Sequence, residues 1–225
     1  NHTATHLLQA ALRRTLGDHV AQSGSAVLAD RLRFDFSHHE AMTRDELAQV
    51  EDAVNLWVMA NAPVCATEMA LDEARELGAM ALFGEKYEDT VRVVRAEGVS
   101  LELCGGTHCQ STGQIGCFRI LHEGSAAAGI RRIEAVTGRG ALQHIRQTED
   151  VLHSVADALT CKPAEIVSRL EGLHKRISEL HADLKAAREL SAATSLDDLV
   201  ASAQQVSGVS LVTANIPGAD RDALA

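Results

Sequence analysis

Aromatic side chains are scarce: Trp57, Tyr87 and four Phe make up 3% of the 225 residues. A core built on large rings is thereby excluded, and small and aliphatic side chains must fill it, which favours helices rich in Ala and Leu. No apolar run reaches the roughly eighteen residues that a membrane-spanning helix needs. Basic residues are in deficit, 21 Lys and Arg against 31 Asp and Glu, for a formal net charge of −10. That excludes a polycation that coats nucleic acid without specificity, while a local basic groove stays compatible with it. Signal-like residues at the N-terminus are missing, and the five Cys are an odd number in a chain too long to depend on disulfides. The thiols are therefore read as reduced, cytoplasmic and available as metal ligands. The first residue is Asn1, not Met, and the chain is read as a piece of something longer.

What is present is ordinary for a globular chain: 46% hydrophobic and 23% charged residues, in a length that suits one or two domains. Residues 1–16 carry Leu7, Leu8, Ala11, Leu12 and Leu16 on one helical face, with Asn1 as a possible cap and Gly17 behind the last turn. Arg31 to Phe36 alternates, Leu32, Phe34 and Phe36 against Arg31, Arg33 and Asp35, as a half-buried strand does. Thr43-Arg44-Asp45-Glu46 is a capping box for a helix through Leu47, Val50, Val54, Trp57 and Val58, with Pro63 beyond its end.

Strands are expected at 64–69, 90–96, 99–103, 116–122 and 129–136, and a short helix at 72–77. Nine of the sixteen Gly fall between positions 98 and 140, marking tight turns between strands. The mixture is α+β, with a mostly antiparallel sheet packed by helices. After Gly140 strands disappear. Ile166, Leu170, Leu173, Ile177, Leu180, Leu184 and Ala187 step by 4,3,4,3,4,3, and Ile145, Leu152, Val155 and Leu159 precede them in similar register. The break at Thr160-Cys161-Lys162-Pro163 makes this an antiparallel helical hairpin. Val206, Val209, Leu211 and Val212 suggest one more strand.

Two donor pairs carry the chemistry. His2 and His6 are four apart on a helix, so both imidazoles leave one face. In Cys104-Gly105-Gly106-Thr107-His108 two glycines let the backbone fold until thiol and imidazole aim at one atom. Each pair alone has a bland reading, surface histidines for one and a glycine turn with a half-buried thiol for the other. Together they offer three imidazoles and one thiolate, a donor set suited to Zn²⁺. Cys109 is a further thiol beside His108; its side chain points away from its neighbour's, and it reads as packing. Thr5 borders His6 and can offer a hydroxyl, unless its own backbone satisfies it. Arg131 and Arg132 face opposite sides of a strand, and Arg139 sits in the Thr137-Gly138-Arg139-Gly140 turn. These arginines either contact phosphates or are solvated charges paired with acids such as Glu134. His38 and His39 read as turn residues, and His144, His153, His174 and His181 as solvated positions on the hairpin.

Asn1-His2-Thr3-Ala4-Thr5-His6-Leu7-Leu8 and Leu103-Cys104-Gly105-Gly106-Thr107-His108 resemble the paired zinc motifs of the alanyl-tRNA synthetase editing domain. The segments 31–38, 78–87 and 129–135 resemble that family as well. The resemblance covers the whole chain: 1–140 as a zinc-dependent editing domain, 141–194 as the helical hairpin linker, and 195–225 as the start of a truncated C-terminal domain. It implies hydrolysis of seryl- and glycyl-tRNA(Ala) at the 3′ ester. An alanine pocket rejects smaller glycine poorly, and serine only modestly, so a second site must correct the errors.

The resemblance further implies Zn²⁺ on His2, His6, Cys104 and His108, pocket roles for Thr5, Gln22 and Ser25, and tRNA(Ala) as partner. A bland reading of Gln22 and Ser25 is turn polarity. No class II aminoacylation motif is present, so ATP and Mg²⁺ belong to a missing part of the parent ligase, and a homodimer would form through the parent's C-terminal region. Two rival readings stand beside this one: a zinc-stabilised tRNA-binding or oligomerisation module without hydrolytic activity, and a free-standing trans-editing enzyme.

Overall fold

The first helix, α1 (His2–Leu16), forms where Leu and Ala repeat on one face, and it ends where Gly17 takes φ 112. Asn1 anchors its start. The Asn1 amide donates to the Leu28 carbonyl at 2.7 Å, and its carbonyl oxygen accepts from the Thr137 hydroxyl at 2.8 Å. Two distant segments, a loop at Leu28 and a strand end at Thr137, are thus tied to the turn that carries His2. A computed structural model of the chain describes the backbone of residues 1–81 and 87–212, and the side chains of these except at 189–199 and 206. The expectations for 82–86, within the 78–87 segment, and for 213–225 lie outside the described residues.

Beyond α1 come β1 (Gln22–Val27), β2 (Leu32–Ser37), α2 (Arg44–Ala60), β3 (Val64–Ala70), α3 (Leu71–Glu76), β4 (Thr90–Ala96) and β5 (Ser100–Leu103). A 3-10 turn at Thr112–Ile115 leads to β6 (Phe118–Ala127), β7 (Ile130–Thr137) and α4 (Gly138–Ala158). One antiparallel sheet has the order β1-β2-β7-β6, and a second has β3-β4-β5. The α+β expectation and its antiparallel pairing hold. Two details differ. Gln22 and Ser25 are not turn residues: they lie on β1, an edge strand whose Gln-Ser-Gly-Ser sequence has no apolar alternation and whose register slips between Gln22 and Gly24. Arg139 is not in a turn either, because β7 runs directly into α4 and places it in that helix's first turn.

The core lies between α1, α2 and the sheets. Leu7, Leu8, Leu12, Phe34, Phe36, Val50, Val54, Phe118 and Ile133 are fully buried in one cluster. Three of the four Phe sit there, so the few rings are concentrated in the core. Truncating one of them to Ala costs about 3–5 kcal/mol. A polar clamp joins α2 to the open edge of β6. Asn55 both donates to the Phe118 carbonyl and accepts from its N–H, each at 2.9 Å, while Glu51 accepts from the Ile120 N–H at 2.8 Å and pairs with Arg119. Two side chains one helical turn apart therefore occupy groups that would otherwise template another strand. The other end of α2 is closed by the fully buried Thr112, whose hydroxyl donates to the Trp57 carbonyl at 2.7 Å and accepts from the Ala62 N–H at 2.9 Å.

The chain divides into two compact units, Asn1–Asp150 and Val151–Ala225. Within the second, a short connection with a 3-10 turn at Pro163–Glu165 leads into α5 (Ile166–Ala201), the second helix of the expected hairpin. Ala156 and Ile166 are buried at this connection, whereas Leu170, Leu173, Ile177, Leu180 and Leu184 along the seam are 37–50% exposed. The single strand expected near 206–212 is instead a hairpin, β8 (Gln204–Val206) with β9 (Val209–Leu211). Ser207 and Gly208 both have positive φ, 53 and 86, which is the tight hairpin turn that matches strand twist.

Asp35 is expected on the solvent side of β2, yet it is buried, because Arg132 on β7 grips it with two bonds of 2.7 and 2.8 Å. The Arg132 guanidinium holds its carboxyl below the ordinary 3.8. The folded state then binds fewer protons than the unfolded one between the two values, so the pair's stabilisation is present above about pH 4 and is lost as pH falls through the lower folded value. Unfolding of the wild-type chain and Asp35→Asn should therefore differ near neutrality and converge as pH falls through the lowered folded value. Denaturant titrations across that range check this; a gap that does not change with pH would assign the loss to packing.

Candidate metal centre

Four donors from two distant segments meet in the first unit. His2 and His6 leave one face of α1, and Cys104 and His108 stand at the two ends of the glycine loop that follows β5. The four ligand atoms lie within 4.8 Å of one another. Cys104 Sγ is 3.4 Å from His2 Nε2 and 3.4 Å from His108 Nε2, and the His6 and His108 rings are 4.7 Å apart, centre to centre. The four-donor set expected from spacing is thus one cluster, the only such group of three or more among the described residues. Cys109, the competing thiol, is turned onto the Thr3 hydroxyl at 3.2 Å and is not part of it.

Local structure explains why the loop folds this way. Arg92 on β4 donates from one nitrogen, Nη1, to the carbonyls of both Cys104 and Gly106, at 2.7 Å each, and its own carbonyl accepts from the Cys104 N–H at 3.0 Å. This guanidinium pins the loop between the two ligands. Gly106 is required for a separate reason: a Cβ there would stand 1.9 Å from His2 Cε1, so only a bare backbone lets the imidazole lie against the loop. Thr3, between the two α1 ligands, stands 3.2 Å from His108 Nδ1 and accepts from the Cys109 N–H at 3.2 Å. Arg92, Gly106 and Thr3 have no spacing signature. Arg92 betrays itself only as a charge that interrupts Val91 and Val93.

The electrostatics suit a metal. Burial, with the neighbouring imidazoles adding to it, pushes His6 down to about 3. Burial, His2 and then Arg92 push His108 down to about 4, and His2 is lowered as well, chiefly by burial. All three rings are uncharged at neutral pH and present lone pairs, the form that coordinates. His6 Nδ1 and Glu102 Oε1 are buried without a hydrogen-bond partner, as in a polar cluster built around something further. Three nitrogens and one sulfur fit Zn²⁺ among the common ions.

The remaining site residues are placed as follows. Thr5 is buried, and its hydroxyl donates to the Asn1 carbonyl at 3.2 Å, the local satisfaction open to a helix threonine. Gln22 Nε2 donates to the Ser25 hydroxyl at 3.1 Å, which joins these two residues on β1. Arg131 grips Glu123 with two bonds of 2.6 and 2.9 Å, as Arg132 grips Asp35, while Arg139 is exposed. Glu134, the expected acid partner of the strand arginines, instead lies 3.8 Å from Arg31.

The first unit is thus an α+β fold in which a helical His pair and a Cys/His glycine loop form one candidate metal centre. Residues 91–134 match the family described as the Threonyl and Alanyl tRNA synthetase second additional domain. Over 224 residues the chain is 47% identical to alanine--tRNA ligase of Idiomarina loihiensis and 47% identical to that of Acetivibrio thermocellus, covering 100% of this chain and 26% of each relative. It is 49% identical over 220 residues to the enzyme of Chromohalobacter salexigens, covering 97% of this chain and 25% of that one. The chain is similar along essentially its whole length to alanine--tRNA ligases, and it spans about a quarter of the length of the relatives it matches.

Zinc titration should saturate near one equivalent per chain, and Cys104→Ala or His108→Ala should each lower the affinity by more than about tenfold. Gly106→Ala removes no donor but drives a methyl into the His2 ring, and it should weaken binding as well. Competition against a chromogenic chelator measures all three. Unchanged metal content in Cys104→Ala and His108→Ala would refute the ligand set.

Proposed function

We propose that this chain is the editing portion of an alanine--tRNA ligase, hydrolysing seryl- and glycyl-tRNA(Ala) at the 3′ ester. The observation that carries the reading is the clustering of His2, His6, Cys104 and His108 in a chain similar along its whole length to alanine--tRNA ligases. On this reading residues 1–140 are the editing domain, 141–194 the linker and 195–225 the start of a C-terminal domain. The whole ligase would charge tRNA(Ala) in the cytoplasm with ATP and Mg²⁺ at a site elsewhere, and its C-terminal region would make the homodimer. No helix among the described residues is long and apolar enough to cross a membrane.

The ester on the terminal ribose is already a good electrophile, so the task is to place water, stabilise the developing oxyanion and turn away the alanyl ester. Four protein donors fill a tetrahedron, so Zn²⁺ would supply a fixed positive charge and a rigid wall to the pocket. Thr5 donates its only hydroxyl hydrogen to Asn1. Its oxygen keeps lone pairs, so it would read serine as an acceptor from the substrate hydroxyl. Gln22 spends one amide hydrogen on Ser25 and would offer its other donor and its carbonyl to the aminoacyl group or to water. One such contact accounts for about 1–3 kcal/mol, roughly 5- to 150-fold, so the pocket wall must contribute to discrimination. Arg131 and Arg132 already neutralise carboxylates. Exposed Arg139 would bear the larger share of phosphate contact, with Arg131 and Arg132 shaping the sheet beneath the acceptor end.

Single-turnover assays decide the matter. The zinc-loaded chain should release serine from seryl-tRNA(Ala) and leave alanyl-tRNA(Ala) intact. Binding of tRNA without release would favour a zinc-stabilised binding module. Thr5→Val should slow seryl ester hydrolysis by about 5-fold or more and glycyl ester hydrolysis much less, because glycine has no hydroxyl to read. An equal fractional loss for both would make Thr5 a packing residue.

A further inference from the structure

Glu102 has no part in the hydrolysis just described, yet it is a buried carboxyl that the fold keeps at a cost. It lies on β5 two residues before Cys104, between Leu101 and Leu103, with its side chain 91% buried and Oε2 3.3 Å from His6 Nδ1. Its other oxygen, Oε1, has no hydrogen-bond partner, and neither does His6 Nδ1 within hydrogen-bond geometry. A buried carboxyl without partners destabilises a fold, and an apolar residue of similar volume would fill the space at lower cost.

We propose that Glu102 is the positioning residue of the metal centre: it faces His6 Nδ1 and fixes that ring with Nε2 toward the ion. The proposal rests on the zinc reading of the cluster. The geometry supports it: the Glu102 carboxyl stands 3.3 Å from His6 Nδ1, and both side chains are buried. The other imidazoles are steadied differently. His108 Nδ1 has the neutral Thr3 hydroxyl at 3.2 Å, and the His2 ring lies against the Gly106 backbone. Among these supports only Glu102 offers a carboxyl group. Metal-ligating histidines commonly show this arrangement, with the second ring nitrogen held by a carboxylate.

Two variants of the full chain test it. Glu102→Gln keeps the shape and an oxygen that can accept from Nδ1–H, but carries no charge; Glu102→Leu removes both. Zinc affinity, measured by chelator competition, should fall about 10- to 100-fold in Glu102→Leu and by less in Glu102→Gln. The thermal midpoint of the metal-free protein should stay level or rise in both variants, while the increment gained on adding zinc shrinks. In Co²⁺-loaded protein the thiolate-to-metal band should persist, because Cys104 still ligates, and the ligand-field bands should shift. Wild-type affinity in both variants would overturn the proposal. So would a metal-free midpoint that drops as far as the zinc-loaded one, since the carboxyl would then serve the fold alone. If the wild-type chain itself took up neither Zn²⁺ nor Co²⁺, the metal reading would fail, and this inference with it.

Discussion

Everything in the first unit is subordinate to one requirement: three imidazoles and a thiolate from opposite halves of the unit must reach a common point. His2 and His6 come from the first turns of α1, and Cys104 and His108 arrive about a hundred residues later. No local structure can bring such segments together, so the sheets and the core under α1 act as the template. The buried leucines of α1 hold its other face against Phe34, Phe36 and α2, which leaves the histidine face turned to β5 and its loop. Asn1 at the start of the helix and Arg92 beneath the loop then fix the two donor pairs at their ends. A slip of one residue in α1 would turn both imidazoles by 100° and dismantle the cluster.

The same template shapes the chemistry. Burial keeps the three rings neutral, the state in which they coordinate, and on the proposed reading four protein donors would fill a tetrahedron, giving a wall and a fixed charge and no open coordination position. On the proposed reading the reacting groups of an ester hydrolase come from α1 and β1, where Thr5 and the linked pair Gln22 and Ser25 reside. The arginines of β7 serve the sheet through Glu123 and Asp35. On the proposed reading, a chain of net charge −10 would meet tRNA with these two arginines already committed to carboxylates. Local placement, not bulk charge, has to carry recognition on this reading.

Much of this was legible in the residues because it follows from periodicity. The helices of the first unit, the capping box at Thr43 and six of its seven strands follow from 3.6- and 2-residue repeats. The four ligands follow from i,i+4 spacing and a glycine loop. What stayed hidden depends on contacts between distant segments. β1 has no apolar alternation, and it is a strand only because β2 pairs with it. Asn55 and Glu51 look like ordinary helix surface until β6, more than sixty residues on, brings its edge to them. Asp35 reads as a solvent-facing charge until Arg132 covers it. Arg92 and Glu102 are charges flanked on both sides by apolar residues in their strands. The one hint they give is that a charge between buried Val or Leu neighbours needs a partner.

X-ray absorption at the zinc edge of the loaded chain tests the central claim most directly, because it counts donors by element and distance. The account requires one sulfur at about 2.3 Å and three nitrogens at about 2.0 Å, with the sulfur shell lost in Cys104→Ser. A spectrum with two sulfurs would bring Cys109 into the site, and one with only light donors would remove Cys104 from it. Either result would contradict the four-residue centre on which the fold converges.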